Sequence, residues 1–248
     1  VTDPPPSNAE PLLAGRSIQK RFGRLLVLDV AEFSVAAGQS VGIVGPNGAG
    51  KTTLLDVLAG AQPPTEGTVE FRGADVTHTS AADRCRMGIG RTHQVPRPFT
   101  GMTVFENVYV GATAGGGMRG SEANERCLAV LEQSGLLPFA NRRAMSLGLL
   151  HRKRLELARA LAARPDVLLL DEIGGGLTDA EADELLETIQ GLRESGITIV
   201  WIEHIVHVLV RAIDRLVCMD AGKVIADGVP AEVLQDARVI DAYLGRRG

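Results

Sequence analysis

Cysteine is scarce, and the few residues present are poorly placed for a shared task. Cys85, Cys127 and Cys218 are odd in number and far apart. That excludes a disulfide framework and a cysteine zinc site, and it suits a reducing cytosol. Positive charge is not in excess either. The formal net charge is −4, so a grip on nucleic acid by charge alone is disfavoured. Long hydrophobic runs are missing. Stretches such as Ile197–Ile202 fall far short of the ~20 apolar residues that a membrane helix needs. No secretory signal and no internal repeat is visible. What is there is globular: 248 residues, 45% apolar and 23% charged, enough for one large α/β domain or two small ones.

One stretch organises the rest. Gly45-Pro46-Asn47-Gly48-Ala49-Gly50-Lys51-Thr52-Thr53 fits G-x-x-x-x-G-K-[ST], a phosphate-cradling loop between a buried strand and a helix. Ser40–Val44 reads as that strand, and Leu54–Ala59 as the helix, stopped by Gly60. The glycines let backbone N–H groups converge on phosphate oxygens, and the helix N-terminus adds partial positive charge. In this pattern Lys51 reaches the β- and γ-phosphates and the Thr52 hydroxyl ligates Mg²⁺.

The chain order around the loop reads as α/β. Thr2–Pro11, with four prolines, is expected to be a mobile tail. Leu12–Val35 alternates like antiparallel strands, with Lys20-Arg21-Phe22-Gly23 at a hairpin tip. Pro63–Gly67 is a turn before the strand Thr68–Phe71. A helical region follows. Thr103 and Glu106 form a capping box, and Ala114–Gly120 reads as an exposed glycine-rich loop. Ser121 is expected to cap the next helix, with Ala123, Cys127, Leu128 and Leu131 on one face. A third helix runs from about His151 to Ala163, halted by Pro165. Val167–Leu170 is then a buried parallel strand. Thr178 and Glu181 form another capping box, opening a helix with Ala182, Leu185, Leu186, Ile189 and Leu192 inward. Ile197–Ile202 is the next strand, a hairpin turns at Asp220-Ala221-Gly222, and Pro230 suits the start of a short helix.

The second chemical feature is Leu168-Leu169-Leu170-Asp171-Glu172. An acid at the end of a hydrophobic strand can hold Mg²⁺, the role expected of Asp171. Glu172 is then placed to polarise the water attacking a γ-phosphate. His204-x-x-His207 has no accompanying ligands, which rejects a metal centre there.

The order of these features resembles the nucleotide-binding subunit of ABC transporters, over nearly the whole of residues 12–245. The resemblance implies an α/β P-loop NTPase with an antiparallel β subdomain and an inserted helical subdomain at about 95–150, in a single domain spanning 12–248. It implies that Gln94 is the loop glutamine that contacts Mg²⁺ or water and senses a membrane partner. It makes His204 the switch histidine on the γ-phosphate and Phe22 the aromatic that stacks on adenine. The implied cofactors are ATP and Mg²⁺. The implied partners are polytopic membrane permease subunits and a second ATPase subunit, with no nucleic acid. The implied place is the cytoplasmic face of the membrane. Within the family, Gly222–Gly228, Arg238–Gly245 and Arg154–Leu161 look like branched-chain amino acid uptake ATPases. Lipopolysaccharide-export ATPases have a similar tail and are the nearest rival. A soluble regulatory or assembly ATPase of this type is a further alternative.

The pattern also breaks. The family signature, L-S-G-G-Q, opens the helix before the acidic strand. Ser146-Leu147-Gly148 resembles it by eye. Counting back from Ala158–Leu161 aligns Leu147-Gly148-Leu149-Leu150-His151 instead, and the spacing favours the count. In that register a glycine replaces the serine and Leu150 adds bulk where phosphate approaches. Arg152-Lys153-Arg154 supplies positive charge there, or is a solvated face. Ile173 stands at a usual proline, and Gly174-Gly175-Gly176-Leu177-Thr178 replaces the dimer-contact loop. A functional ATPase whose two-subunit sandwich closes weakly is the expectation.

Overall fold

The N-terminal alternation folds as a hairpin. In the computed structural model, which describes residues 10–244, β1 (Leu13–Phe22) and β2 (Leu25–Val35) pair antiparallel around a Gly23-Arg24 tip. Most of the expected tail lies outside the described residues. β3 (Ser40–Val44) leads through the phosphate loop into α1 (Lys51–Leu58), and β4 (Glu66–Phe71) and β5 (Ala74–Asp75) return to the hairpin. The result is an antiparallel sheet of four strands, in the order β2-β1-β4-β5.

Next come α2 (Ala81–Met87), capped by Ser80, and β6 (Ile89–Arg91). α3 (Val104–Val110) opens with the Thr103/Glu106 capping box. Three local expectations fail here. Part of the glycine-rich run is not loop: Gly111–Gly115 is a π-helical turn extending α3, because Ala112 is buried in the core. α4 (Gly120–Gln133) starts before Ser121, which caps nothing; the N-cap is Arg119, without a side-chain bond. Leu128 is 48% exposed and Val130 takes its place inside, beside Ala123, Cys127 and Leu131.

α5 (Leu149–Ala162) precedes β7 (Val167–Asp171), and α6 (Asp179–Glu194) opens with the Thr178/Glu181 capping box. β8 (Thr198–Ile202), α7 (Val206–Leu209), β9 (Arg215–Asp220), β10 (Lys223–Gly228), α8 (Pro230–Val233) and α9 (Ala237–Leu244) complete the order. Strand order in the second sheet is β10-β9-β3-β8-β7-β6, parallel except for β10.

Alternation along β7 and β8 divides the core. Val167, Leu169, Val200 and Ile202 face α1 and the antiparallel sheet. Leu168, Leu170, Ile199 and Trp201 face α5, α6 and the helical region. With both faces covered, β3, β7 and β8 are buried throughout, which is why they read as continuous apolar runs. Register matters most for function. Ile43 pairs with Ile202, and Ile202 with Asp171. The three strands therefore end level, and the segments following them meet in one crevice at the carboxyl edge, where ligands of open α/β sheets bind.

One side chain clasps α1 from behind. Arg84 of α2 is fully buried, and it donates to the carbonyls of Val57 and Leu58 at 2.8 and 2.7 Å. It also donates to those of Val76, Thr77 and Thr79 at 2.6, 3.1 and 3.2 Å. It thereby satisfies the Leu58 carbonyl at the end of α1 and adds a second donor to the Val57 carbonyl, which the Gly60 N–H also reaches at 3.2 Å. Arg84→Ala strands these groups away from water, and should lower stability by at least ~3 kcal/mol. Arg84→Lys should recover little, because an ammonium cannot reproduce the planar fork. Urea midpoints check this; a loss below ~1 kcal/mol would show that the clasp is dispensable.

Candidate nucleotide-binding site

The loop after β3 is tightly seated. Gly45 has φ 148°, and a Cβ there would lie 2.1 Å from the Met219 carbonyl oxygen of β9. Lys51, in the first turn of α1, folds back across the loop. Its Nζ donates to the carbonyls of Gly45 at 2.7 Å and Pro46 at 3.2 Å. The residue is only 5% exposed. Burial pushes its ammonium below the usual lysine range, opposed by the carboxylates of Glu172 and Asp171. This is a cation held by neutral acceptors near acids, available to a phosphate.

Asp171 lies beneath the loop at the end of β7. Its Oδ1 accepts from the Thr52 hydroxyl at 3.3 Å, and its Oδ2 pairs with Arg91 Nη2 at 3.4 Å. Burial pushes the carboxyl up; the Arg91 guanidinium opposes this and the neighbouring Glu172 adds to it. Arg91 also bonds Asp56, so that β6, β7 and α1 are tied together. Sequence reading missed this bridge. The available signal was Asp56, one turn beyond Thr52 on the same helix face.

Glu172 follows with φ 46°, a left-handed conformation that side-chain-bearing residues rarely hold without a functional setting. Its carboxylate is gripped on both sides. Oε1 lies 2.6 Å from His204 Nε2, and Oε2 accepts from Gln94 Nε2 at 2.5 Å. Three segments distant in sequence thus converge on one carboxylate. They line an open cavity of about 460 Å³ together with Val27 and residues 47–53 of the loop. Gly45, Pro46 and Asp171 support the cavity from below without lining it. Phe22 does not line it: it is exposed on the hairpin tip, under the Lys20 ammonium, 5.2 Å from the ring centroid. Val27 of β2 occupies the nearer position.

The degenerate signature has a definite place. Gly148 is the N-cap of α5, with no side-chain cap. Ser146 sits in the preceding 3₁₀ turn, its hydroxyl already donating to the Arg143 carbonyl at 2.8 Å. The helix start therefore agrees with the counted register. Leu150 departs from expectation. It is 6% exposed and belongs to the core, so its bulk points away from any phosphate; Leu149 is the exposed residue of that turn. The basic trio is only partly a solvated face: Arg152 is exposed, Lys153 buried and Arg154 half-buried. Arg152 bonds the Leu147 carbonyl at 2.7 Å, Lys153 is buried, and Arg154 pairs with Glu184 at 3.1 Å. Ile173 is buried, and Thr178 is engaged in capping α6.

A loop that cradles anions, a buried acid beside a hydroxyl, and a gripped carboxylate together suit phosphoanhydride chemistry. Comparison with known proteins agrees. Residues 28–174 match the ABC transporter family model, and residues 223–248 match that of the branched-chain amino acid ATP-binding cassette transporter. The high-affinity branched-chain amino acid transport ATP-binding protein LivG of Salmonella typhimurium is 36% identical, over 96% of this chain and 99% of its own. The ADP conformation of MJ1267, an ATP-binding cassette of an ABC transporter, superposes with a TM-score of 0.88 at 32% identity, covering 96% of this chain and all of that one. The dimeric post-hydrolysis state of the cassette MJ0796, bound to ADP and Pi, gives 0.78 at 26% identity, covering 88% and 98%. The chain belongs to the ABC transporter family, as one of its ATP-binding and ATP-hydrolysing cassettes.

Proposed function

We propose that this cassette powers an importer of branched-chain amino acids by hydrolysing ATP on a separate membrane permease. The observation that carries the chemistry is the single carboxylate of Glu172, bracketed by His204 and Gln94 above the phosphate loop. The substrate class rests on the similarity to LivG and on the C-terminal family match; neither supports lipopolysaccharide export or a soluble regulatory role.

In this reading Lys51 exchanges its carbonyl partners for β- and γ-phosphate oxygens, and the loop amides take the rest. Thr52 and Asp171 hold Mg²⁺. Their oxygens are 3.3 Å apart, close to the ~3 Å edge of an octahedron with Mg–O bonds of ~2.1 Å, so this donor pair fits the ion. Gln94 would be the third residue to hold the ion. Bound Mg²⁺ supplies charge neutralisation to the phosphates. Glu172 orients the attacking water and accepts its proton; His204 contacts the γ-phosphate. Phe22, exposed on the hairpin tip, is the aromatic available to stack on adenine.

The partner face lies on the other side of Gln94. Val95, Phe99, Met102 and Met145 are exposed apolar side chains, and the Phe99 ring centroid lies 4.8 Å from the guanidinium of Arg159, which lines a groove with Arg97, Gly111 and Gly115. Exposed apolar clusters mark interaction surfaces, and this one suits a permease segment. The helical subdomain, about 95–150, would carry its motion. Among the described residues, no helix is long and apolar enough to cross a membrane. That accords with peripheral attachment, on the cytoplasmic face where ATP is found.

A second ATPase subunit completes the site through its signature. Without the serine hydroxyl, one charge-assisted hydrogen bond is lost, about 1.5–3 kcal/mol, or roughly 10- to 100-fold in closure. Three outcomes are expected. Lys51→Ala weakens MgATP binding at least ~30-fold in a fluorescent-ATP titration; unchanged affinity removes the phosphate-loop assignment. Glu172→Gln keeps binding but lowers turnover at least ~100-fold, and wild-type turnover would displace Glu172. In that Glu172→Gln background the isolated cassette stays largely monomeric with ATP, and adding Gly148→Ser tightens dimerisation about 10-fold or more. Sedimentation decides; tight dimers without the serine would contradict weak closure.

A further inference from the structure

One buried carboxylate near the cavity is left unused by this mechanism. Glu203 joins the end of β8 to His204 and is 2% exposed. Its Oε1 accepts from the Gly174 N–H at 2.6 Å, and its Oε2 accepts from the His204 N–H at 3.1 Å. A single side chain therefore bridges the backbone of two loops, one after β7 and one after β8. Burying a carboxylate is costly unless its lone pairs are satisfied, and here the partners belong to the segments that carry Glu172 and His204. Burial pushes the Glu203 carboxyl above the usual range; the Gly174 and His204 amides oppose this.

The surroundings close the bracket. The Glu172 carbonyl accepts from the Gly175 N–H at 3.2 Å and from Lys153 Nζ at 3.5 Å. Lys153 of α5 is itself buried, and its ammonium feels the charges of both Glu203 and Glu172. The left-handed turn at Glu172 is thus held from three directions: by Gly175, by Lys153 and, through Gly174, by Glu203. Gly174 has no room for a side chain while Glu203 is seated, because a Cβ would lie 2.7 Å from its Oε1. That gives the first glycine of the three-glycine run a local cause.

We propose that Glu203 is a positioning residue for hydrolysis: its carboxylate fastens the Glu172 loop to the His204 loop, so that the water-orienting acid and the switch histidine are held as one unit. The proposal rests on Glu172 orienting the water. Since misplacement by ~1 Å costs roughly 100-fold in rate, loosening the bracket should be visible in turnover and not in binding.

Glu203→Gln tests it. The amide keeps one acceptor oxygen and turns a donor toward the other N–H. Expected is a ~10- to 100-fold fall in kcat, with KM for ATP and fluorescent-ATP affinity within about 3-fold of wild type. Gly174→Ala, with Glu203 intact, should give the same split by displacing the carboxylate. In the Glu172→Gln background, Glu203→Gln should cost less in single-turnover rate than it does in the wild type, because only the hold on His204 is left to lose. Wild-type kcat in Glu203→Gln, a matching loss of nucleotide affinity, or a loss in the Glu172→Gln background as large as in the wild type each overturns the proposal. If Glu203→Gln does not fold, Gly174→Ala decides by the same criteria. Wild-type turnover of Glu172→Gln itself would instead remove the underlying assignment of Glu172.

Discussion

A buried acid beside a buried amine sets the terms of this cassette. Asp171 and Lys51 both sit out of water, where an isolated charge is heavily penalised. Burial raises the one group and lowers the other, and each is restrained by charges around it. Neither arrangement is complete by itself. Lys51 has only backbone carbonyls to bond, and Asp171 shares one oxygen with Thr52 and the other with Arg91. A ligand that brings negative charge to Lys51 and a hard cation to Thr52 and Asp171 relieves both. The proposed nucleotide polyphosphate with magnesium would meet that imbalance, and the level ends of β3, β8 and β7 keep the two groups in place.

The gripping part of the site was legible in the amino-acid order because it is local. The phosphate loop, the hydroxyl after its lysine and the acids ending β7 each sit within a few residues of the element that positions them. The capping boxes at Thr103 and Thr178 were readable for the same reason. What escaped was long-range. Arg91 meets Asp56 and Asp171 at separations of 35 and 80 residues. Arg84 reaches back to the end of α1, and Glu203 to the loop after β7. No periodicity encodes such pairings. The errors at Ser121 and Leu128 have a different origin: both lie at the margin of an apolar stripe or helix start, where tertiary contacts choose between adjacent residues.

The altered signature reads differently once its geometry is known. Leu150 faces the core, whereas Leu149, at the first signature glycine of that register, is exposed at the first helical position of α5. The departure is therefore a missing hydroxyl together with an apolar side chain in the first turn. The nearby cations do not compensate, because Arg152 and Arg154 are engaged with the Leu147 carbonyl and Glu184, and Lys153 is turned inward. The first turn of α5 must attract phosphate through backbone amides and the helix dipole alone.

That inward turn of Lys153 gives α5 two ends with separate duties. In the proposed dimer its N-terminus would face a nucleotide held by another subunit, while one turn later the Lys153 ammonium bonds the carbonyl of this subunit's own Glu172. A rigid helix cannot shift at one end without shifting the other. Under the proposed roles, a shift of the helical region would pull on Glu172 through Lys153, and Glu203 would carry that pull on to His204. Binding would then rest on α1 and the end of β7, and turnover on how firmly the loops behind Glu172 are held.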